Sequence, residues 1–202
     1  MKIKLAFLIL FIISIVGCHP NAPAPVTTTL IDTTQQKAEE KKIDSFFPVT
    51  SFLKGQMALT DSLPITPLHF FTVNGKTDSA WVKQHELRTF LQPFFSPEIT
   101  ATNFTSLFKE TSFNDLSVNA ITFTYDPIKQ LPDSLNLQHW DVYINPQTGK
   151  VFKVYLLKNI KEKNTSYIQQ LTWQVDQFAK IVNIYTDGKT ETIKEDKFVW
   201  KF

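Results

Sequence analysis

Thr165-Ser-Tyr-Ile-Gln-Gln-Leu-Thr-Trp-Gln-Val175 is the stretch that decides the fold. Tyr167, Leu171, Trp173 and Val175 stand at even-numbered offsets, and apart from Ile168 the residues between them are polar. Successive side chains of a strand point to opposite faces, so these four share one face of an extended chain. A helix would scatter them around its axis. The neighbouring segments repeat the pattern. Upstream, Leu137 to Ile144 and Val151 to Ile160 are apolar enough to be strands, joined by the turn Asn145-Pro-Gln-Thr-Gly-Lys150. The polar run Lys161 to Asn164 then leads into Thr165. Downstream, Phe178 to Thr186 is followed by Asp187-Gly188, a type I′ turn signal, and by a return from Lys189 to Phe202. Connections this short make neighbours antiparallel. The C-terminal half therefore predicts an antiparallel meander of about five strands.

The half before it reads differently. Pro48 suits the first turn of a helix, and Phe52, Leu53, Gln56, Met57 and Leu63 continue a partly amphipathic one, weakened by Gly55, that Pro64 closes. Leu68 to Val73 and Lys76 to Val82 flank Asn74-Gly75, a preferred hairpin turn. Leu87, Phe90, Leu91, Phe94 and Phe95 carry the clearest helical period in the chain. A short helix is expected around Asn103 to Lys109, with Phe104, Leu107 and Phe108 on one side. Val118 to Tyr125 alternates as a half-buried strand. Helices and a hairpin from this half, laid on the meander, give an α+β layer architecture for a single domain spanning residues 45–202. A domain of that length buries roughly 70% of its unfolded-chain surface.

Met1 to Cys18 has its own logic. Lys2 and Lys4 precede the apolar run Leu5 to Val16, and Gly17 precedes Cys18. A charged start, a short apolar core and a small residue before the cut form a secretory signal pattern over residues 1–17. The run falls short of the roughly 20 residues a membrane-spanning helix needs. Ile15-Val16-Gly17-Cys18 resembles the lipobox of bacterial lipoproteins. That resemblance implies cleavage after Gly17 and lipid attachment at Cys18, the one cysteine of the chain. Two or more acyl chains anchor stably where one does not, so the implied partner is a membrane. In that class an Asp after the cysteine favours inner-membrane retention, and an acidic run directs export to the cell exterior. Here His19 follows Cys18, and Pro20 to Thr29 contains no acid. The resemblance therefore implies the cell envelope, at the periplasmic face of the outer membrane. Residues 18–44 are rich in Pro, Ala and Thr and then in charge, which reads as a disordered tether.

Composition removes some function classes. Loss of residues 1–17 takes Lys2 and Lys4, so 21 basic residues become 19 and match the 19 acids. A near-neutral mature chain lacks the basic field of a nucleic-acid binder. One cysteine permits no internal disulfide. The 18 phenylalanines must then do much of the stabilising, since each buried ring removes a large area from water.

Catalytic patterns are sparse. His85-Glu86 begins like a zinc-protease helix, but Thr89 stands where the second His belongs. There is no Gly-x-Ser-x-Gly elbow and no phosphate-cradling glycine loop. The histidines at 19, 69, 85 and 139 show no metal-ligand spacing, and no cofactor is implied. His139-Trp140-Asp141 is the one polar cluster of interest. Alternation puts His139 and Asp141 on one face and Trp140 on the other. A His beside a carboxylate is a candidate acid-base pair, and a polar strand face over a buried Trp is the simpler reading. Tyr143 to Val151 is similar to the strand-turn-strand of PepSY-type envelope domains, and no function follows from that likeness. The favoured reading is a non-enzymatic binding or scaffolding lipoprotein with an envelope protein as partner. The alternatives are a carrier or sensor of a small apolar ligand held between the sheet and Leu87 to Phe95, and an envelope hydrolase using His139 and Asp141.

Overall fold

The computed structural model describes residues 45–163 and 165–201. Gly17, Cys18, the expected signal segment and the expected tether lie outside the described residues, as does Phe202. The described residues fall in one compact unit.

Pro48 precedes helix α1, Val49–Ser62. Val49, Leu53, Met57 and Thr60 form its buried stripe, at the three- and four-residue spacing that keeps one helix face inward. The helix stops before Pro64, because a following proline forces its predecessor out of helical geometry; Leu63 is extended, at φ −81° and ψ 140°. The second helix, α2, is Gln84–Phe90, and a 3-10 turn, Gln92–Phe95, follows it. Leu87, Leu91 and Phe94 are buried as their spacing predicts, while Phe90 is 44% exposed. Leu91 leaves helical geometry and Pro93 sits in the 3-10 turn, so the expected helix ends early.

Nine strands make one fully antiparallel sheet: β1 Leu68–Val73, β2 Lys76–Trp81, β3 Phe108–Asp115, β4 Ala120–Pro127, β5 Leu137–Ile144, β6 Val151–Glu162, β7 Thr165–Gln174, β8 Phe178–Asp187 and β9 Thr190–Val199. Their order is β2-β1-β9-β8-β7-β6-β5-β4-β3. One face meets the helices and holds the core: Trp140, Val154, Leu156, Leu171, Trp173 and Phe198 are all at most 1% exposed. Tyr125 stacks on Trp140 at 4.5 Å, and Phe94 meets Trp173 edge-on at 5.4 Å. Burial of a large apolar side chain contributes about 1.5–3 kcal/mol, so this aromatic layer is a principal source of stability.

The α+β class with an antiparallel sheet stands, but the sheet has nine strands and not about five. Three features account for the difference. The strand expected over Val118 to Tyr125 lies in the same sheet as β4, paired to β5. The β1–β2 hairpin does not pack against the sheet; it joins it, with β1 paired to β9 from Leu68↔Val199 to Val73↔Lys194. Residues 103–109 are not a helix. Phe104 accepts hydrogen bonds from the Leu107 and Phe108 amides, which gives one turn with helical spacing, and β3 begins at Phe108. Lys109 to Asn114 are exposed because β3 is an edge strand. An edge strand exposed in this way needs no apolar alternation, so nothing in Lys-Glu-Thr-Ser marks it.

The turns follow backbone sterics. Asn74 and Gly75 have φ of 48° and 81°, both positive as a type I′ turn requires. At the other expected site the loop moves by one residue. Asp187 pairs with Thr190, leaving Gly188-Lys189 as the loop, with Gly188 at φ 59°. A glycine in the first central position with positive φ is the type II′ pattern.

Candidate functional site

His139 and Asp141 share a face, and Trp140 is fully buried on the other. The register sets Thr124 beside Asp141 and Asp141 beside Tyr155, so β4, β5 and β6 bring their polar side chains together. His139 Nδ1 lies 2.8 Å from Asp126 Oδ1, and its Nε2 lies 3.0 Å from Asp141 Oδ1. Thr124 Oγ1 donates to the same Asp141 oxygen at 2.7 Å, and the Tyr143 hydroxyl donates to the other at 3.3 Å. Lys153 Nζ sits 3.5 Å above the Tyr143 ring centre.

These contacts bias the protonation of His139 and Asp141. The hydrogen bond to Asp141 raises the His139 pKa above its ordinary value; burial opposes this, and Asp126 adds to it. Burial pushes the Asp141 carboxyl up, but His139, Thr124 and Tyr143 together outweigh it and hold the carboxyl below its usual range. The result is an imidazole ring held between two carboxyl groups, with its charged form favoured by Asp141 and Asp126. A general base needs a ring nitrogen free to accept a proton, and both nitrogens of His139 are engaged. The hydroxyls on Asp141 donate to it rather than await activation. The cluster is built as an ion network and not as an acid-base pair. His85 lies 3.9 Å from Glu86 with its side chain 77% exposed. Among the described residues no group of His, Cys, Asp or Glu is arranged to hold a metal.

The space expected for an apolar ligand is occupied. Leu87, Leu91 and Phe94 lie fully buried in the same core as Trp173. Where the 3-10 turn ends, however, the inner face opens into a hollow of about 330 Å³. Its polar wall comprises Lys158, Gln169, Tyr167, Asn136, Ser96 and Ser134. Lys158 is 3% exposed, on the same face as Val154 and Leu156. Its ammonium donates to the carbonyls of Pro93 and Ser96. Those carbonyls belong to the end of a helical segment, where a cation is favourable. Burial lowers the Lys158 pKa from 10.5 to about 8.

This lysine escapes a pattern search, but its position leaves a trace. Val154-x-Leu156-x-Lys158-x-Ile160 puts one cation in an apolar series, and Tyr167-x-Gln169-x-Leu171 puts one amide in the facing series. Lys158 and Gln169 are cross-strand partners, and both are buried. Two polar interruptions of two alternating strands, meeting in register, are the signal that sequence reading passed over. No known protein family, curated protein or solved structure matches the chain.

Proposed function

We propose that this protein is a membrane-anchored lipoprotein of the cell envelope, held by lipid on Cys18 at the periplasmic face of the outer membrane. Residues 18–44 act as its tether, and the α+β unit is a non-enzymatic binding or scaffolding module for an envelope protein. The observation that carries the reading is the sequence Leu5 to Cys18, in which the one cysteine follows a short apolar run and a glycine. Two further observations support a binding module. The strongest acid-base candidate, His139, has both ring nitrogens committed to carboxylates. Edge strand β2 is exposed along all six residues, including Trp81 at 65%, and edge strands are the places where sheets accept a partner chain.

The test is fractionation of cells grown with a labelled fatty acid. Wild-type protein is expected to carry label and to sediment with the outer membrane. Cys18→Ala should lose the label and leave the membrane fraction. Equal recovery of the variant in membranes would overturn the anchor. Crosslinking of the lipidated protein in intact envelopes then tests the partner, and a single reproducible protein adduct is the expected result.

A further inference from the structure

We infer that the hollow beside Lys158 is a binding site for a small organic oxyanion, a carboxylate in the first instance. Three observations converge on it. The first is a buried cation without a counter-charge. Lys158 is 3% exposed, and among the described residues no carboxylate lies within ion-pair distance of it. Two carbonyls occupy two of its three N–H bonds. Burying an ammonium group is costly unless it is paired and fully hydrogen-bonded.

The second observation is the wall around it. Asn136, Ser96 and Ser134 line the same hollow, Asn136 half-buried and the two serines at its exposed rim. None of these side chains makes a hydrogen bond with another described residue. Uncommitted neutral donors around an uncommitted ammonium hydrogen are what an oxyanion needs, because hydrogen bonds to charged oxygens are the strong ones. The third is size. A volume of about 330 Å³ exceeds a bare carboxylate and reaches the lower range of small-molecule sites. Pro97, Leu135 and Ile160 give the rest of the wall an apolar surface for an organic body.

The competing account is that Lys158 only clamps the end of the 3-10 turn. It explains the two carbonyl contacts, but it leaves the third N–H of a buried ammonium without a partner among the described residues. The inference rests on the binding-module reading and is independent of the lipid anchor, so its test can fail while the anchor stands.

The experiment is a titration of the full-length protein in non-ionic detergent, followed by amide NMR shifts at constant ionic strength with chloride as the exchanged ion. The probes are acetate, benzoate and inorganic phosphate. Saturable shifts confined to Asn136, Lys158, Gln169 and the Pro93–Pro97 segment are expected for the carboxylates, with benzoate tighter than acetate. Lys158→Met should weaken binding at least tenfold. If that variant does not fold, Asn136→Leu is decisive, because it keeps the lysine clamp and replaces a polar wall residue by an apolar one of similar size; it should weaken binding severalfold. Phosphate binding at the same residues in preference to carboxylate keeps the oxyanion site and moves its ligand to the phosphate esters. The absence of a saturable shift with any probe, or an unchanged response in Asn136→Leu, overturns the site.

Discussion

A half-buried histidine and a buried lysine of this domain are handled in opposite ways. On the open face of β5, His139 is enclosed by Asp126 and Asp141, and Asp141 is in turn held by Thr124 and Tyr143. On the helix face of β6, Lys158 has two carbonyls, no carboxylate among the described residues and an open hollow beside it. The first arrangement is complete within the chain. The second leaves an electrostatic demand that the chain does not meet. The folded chain stabilises the charge of His139, whereas it tolerates that of Lys158. That contrast is the reason to place structure at the first site and ligand binding at the second.

The comparison breaks most directly at Asp141. Removing one partner from a buried ion pair leaves the other charge and its hydrogen-bond donors uncompensated, which costs about 3 kcal/mol or more. Asp141→Ala should therefore lower stability by about 3 kcal/mol at neutral pH, because Thr124, Tyr143 and one nitrogen of His139 all lose an acceptor. Urea denaturation of the wild type and the variant measures it. A loss below about 0.5 kcal/mol, the range of an exposed pair, would mean that the network is solvated and that His139 is no better compensated than Lys158.

The second break is at Lys158, and its sign differs. The folded pKa of about 8 lies below the unfolded value of 10.5, so between these values the unfolded chain binds more protons. Stability rises with pH wherever that holds. The groups facing Lys158 are the Pro93 and Ser96 carbonyls, the Gln169 amide and Tyr167, none of which supplies an opposing carboxylate. Between pH 8 and pH 10 the wild type should gain about 2 kcal/mol, since a one-proton difference between the two states is worth roughly 1.4 kcal/mol for each pH step of one. Lys158→Met should show no such gain. The limit near pH 10 is set by tyrosines such as Tyr125, whose burial raises its pKa and works in the opposite direction above that pH. A flat wild-type profile over this interval would place Lys158 among ordinary solvated lysines and remove the contrast.

Much of this frame can be read from the chain, and the limits of reading are physical. β5 and β7 are visible because a strand with one buried face must alternate, and Trp140 and Trp173 do so. β3 is invisible because its edge position leaves it exposed, so no apolar period is imposed on it. The attachment of β1 to β9 joins residues far apart in sequence, and local pattern carries no information about that pairing. The site divides along the same line. His139 and Asp141 stand two residues apart on one strand, so their common face is a local fact. Asp126, which makes the histidine an ion-network member, comes from β4. Lys158 and Gln169 lie on adjacent strands, and the carbonyls that hold Lys158 come from the 3-10 turn and the residue after it. A reading of strand faces can flag a lysine in an apolar series, but it cannot supply the turn that lands on it.

The smallest effect is at His139, and it sharpens the contrast by its direction. Asp141 raises the folded pKa above the unfolded value near 6.5, with Asp126 adding to it. A group whose pKa rises on folding contributes fully below its unfolded pKa and loses that contribution as pH climbs through the folded value. The groups facing the ring are Asp126 from β4, Asp141 from β5 and, at 6.3 Å between ring centres, Tyr155 from β6. Partial exposure of Asp126 tempers the effect. As pH climbs from the unfolded pKa through the raised folded one, the wild type should lose stability, and His139→Gln should not. Together with the alkaline gain from Lys158, this gives the pH profile of stability a falling acid side and a rising alkaline side. His139→Gln should flatten its acid side and Lys158→Met its alkaline side. Binding of a carboxylate beside Lys158 should also reduce the alkaline rise, because the anion favours the protonated amine. If one substitution flattened both sides, the two cations would be coupled, and the division between a structural charge and a ligand-binding charge would not hold.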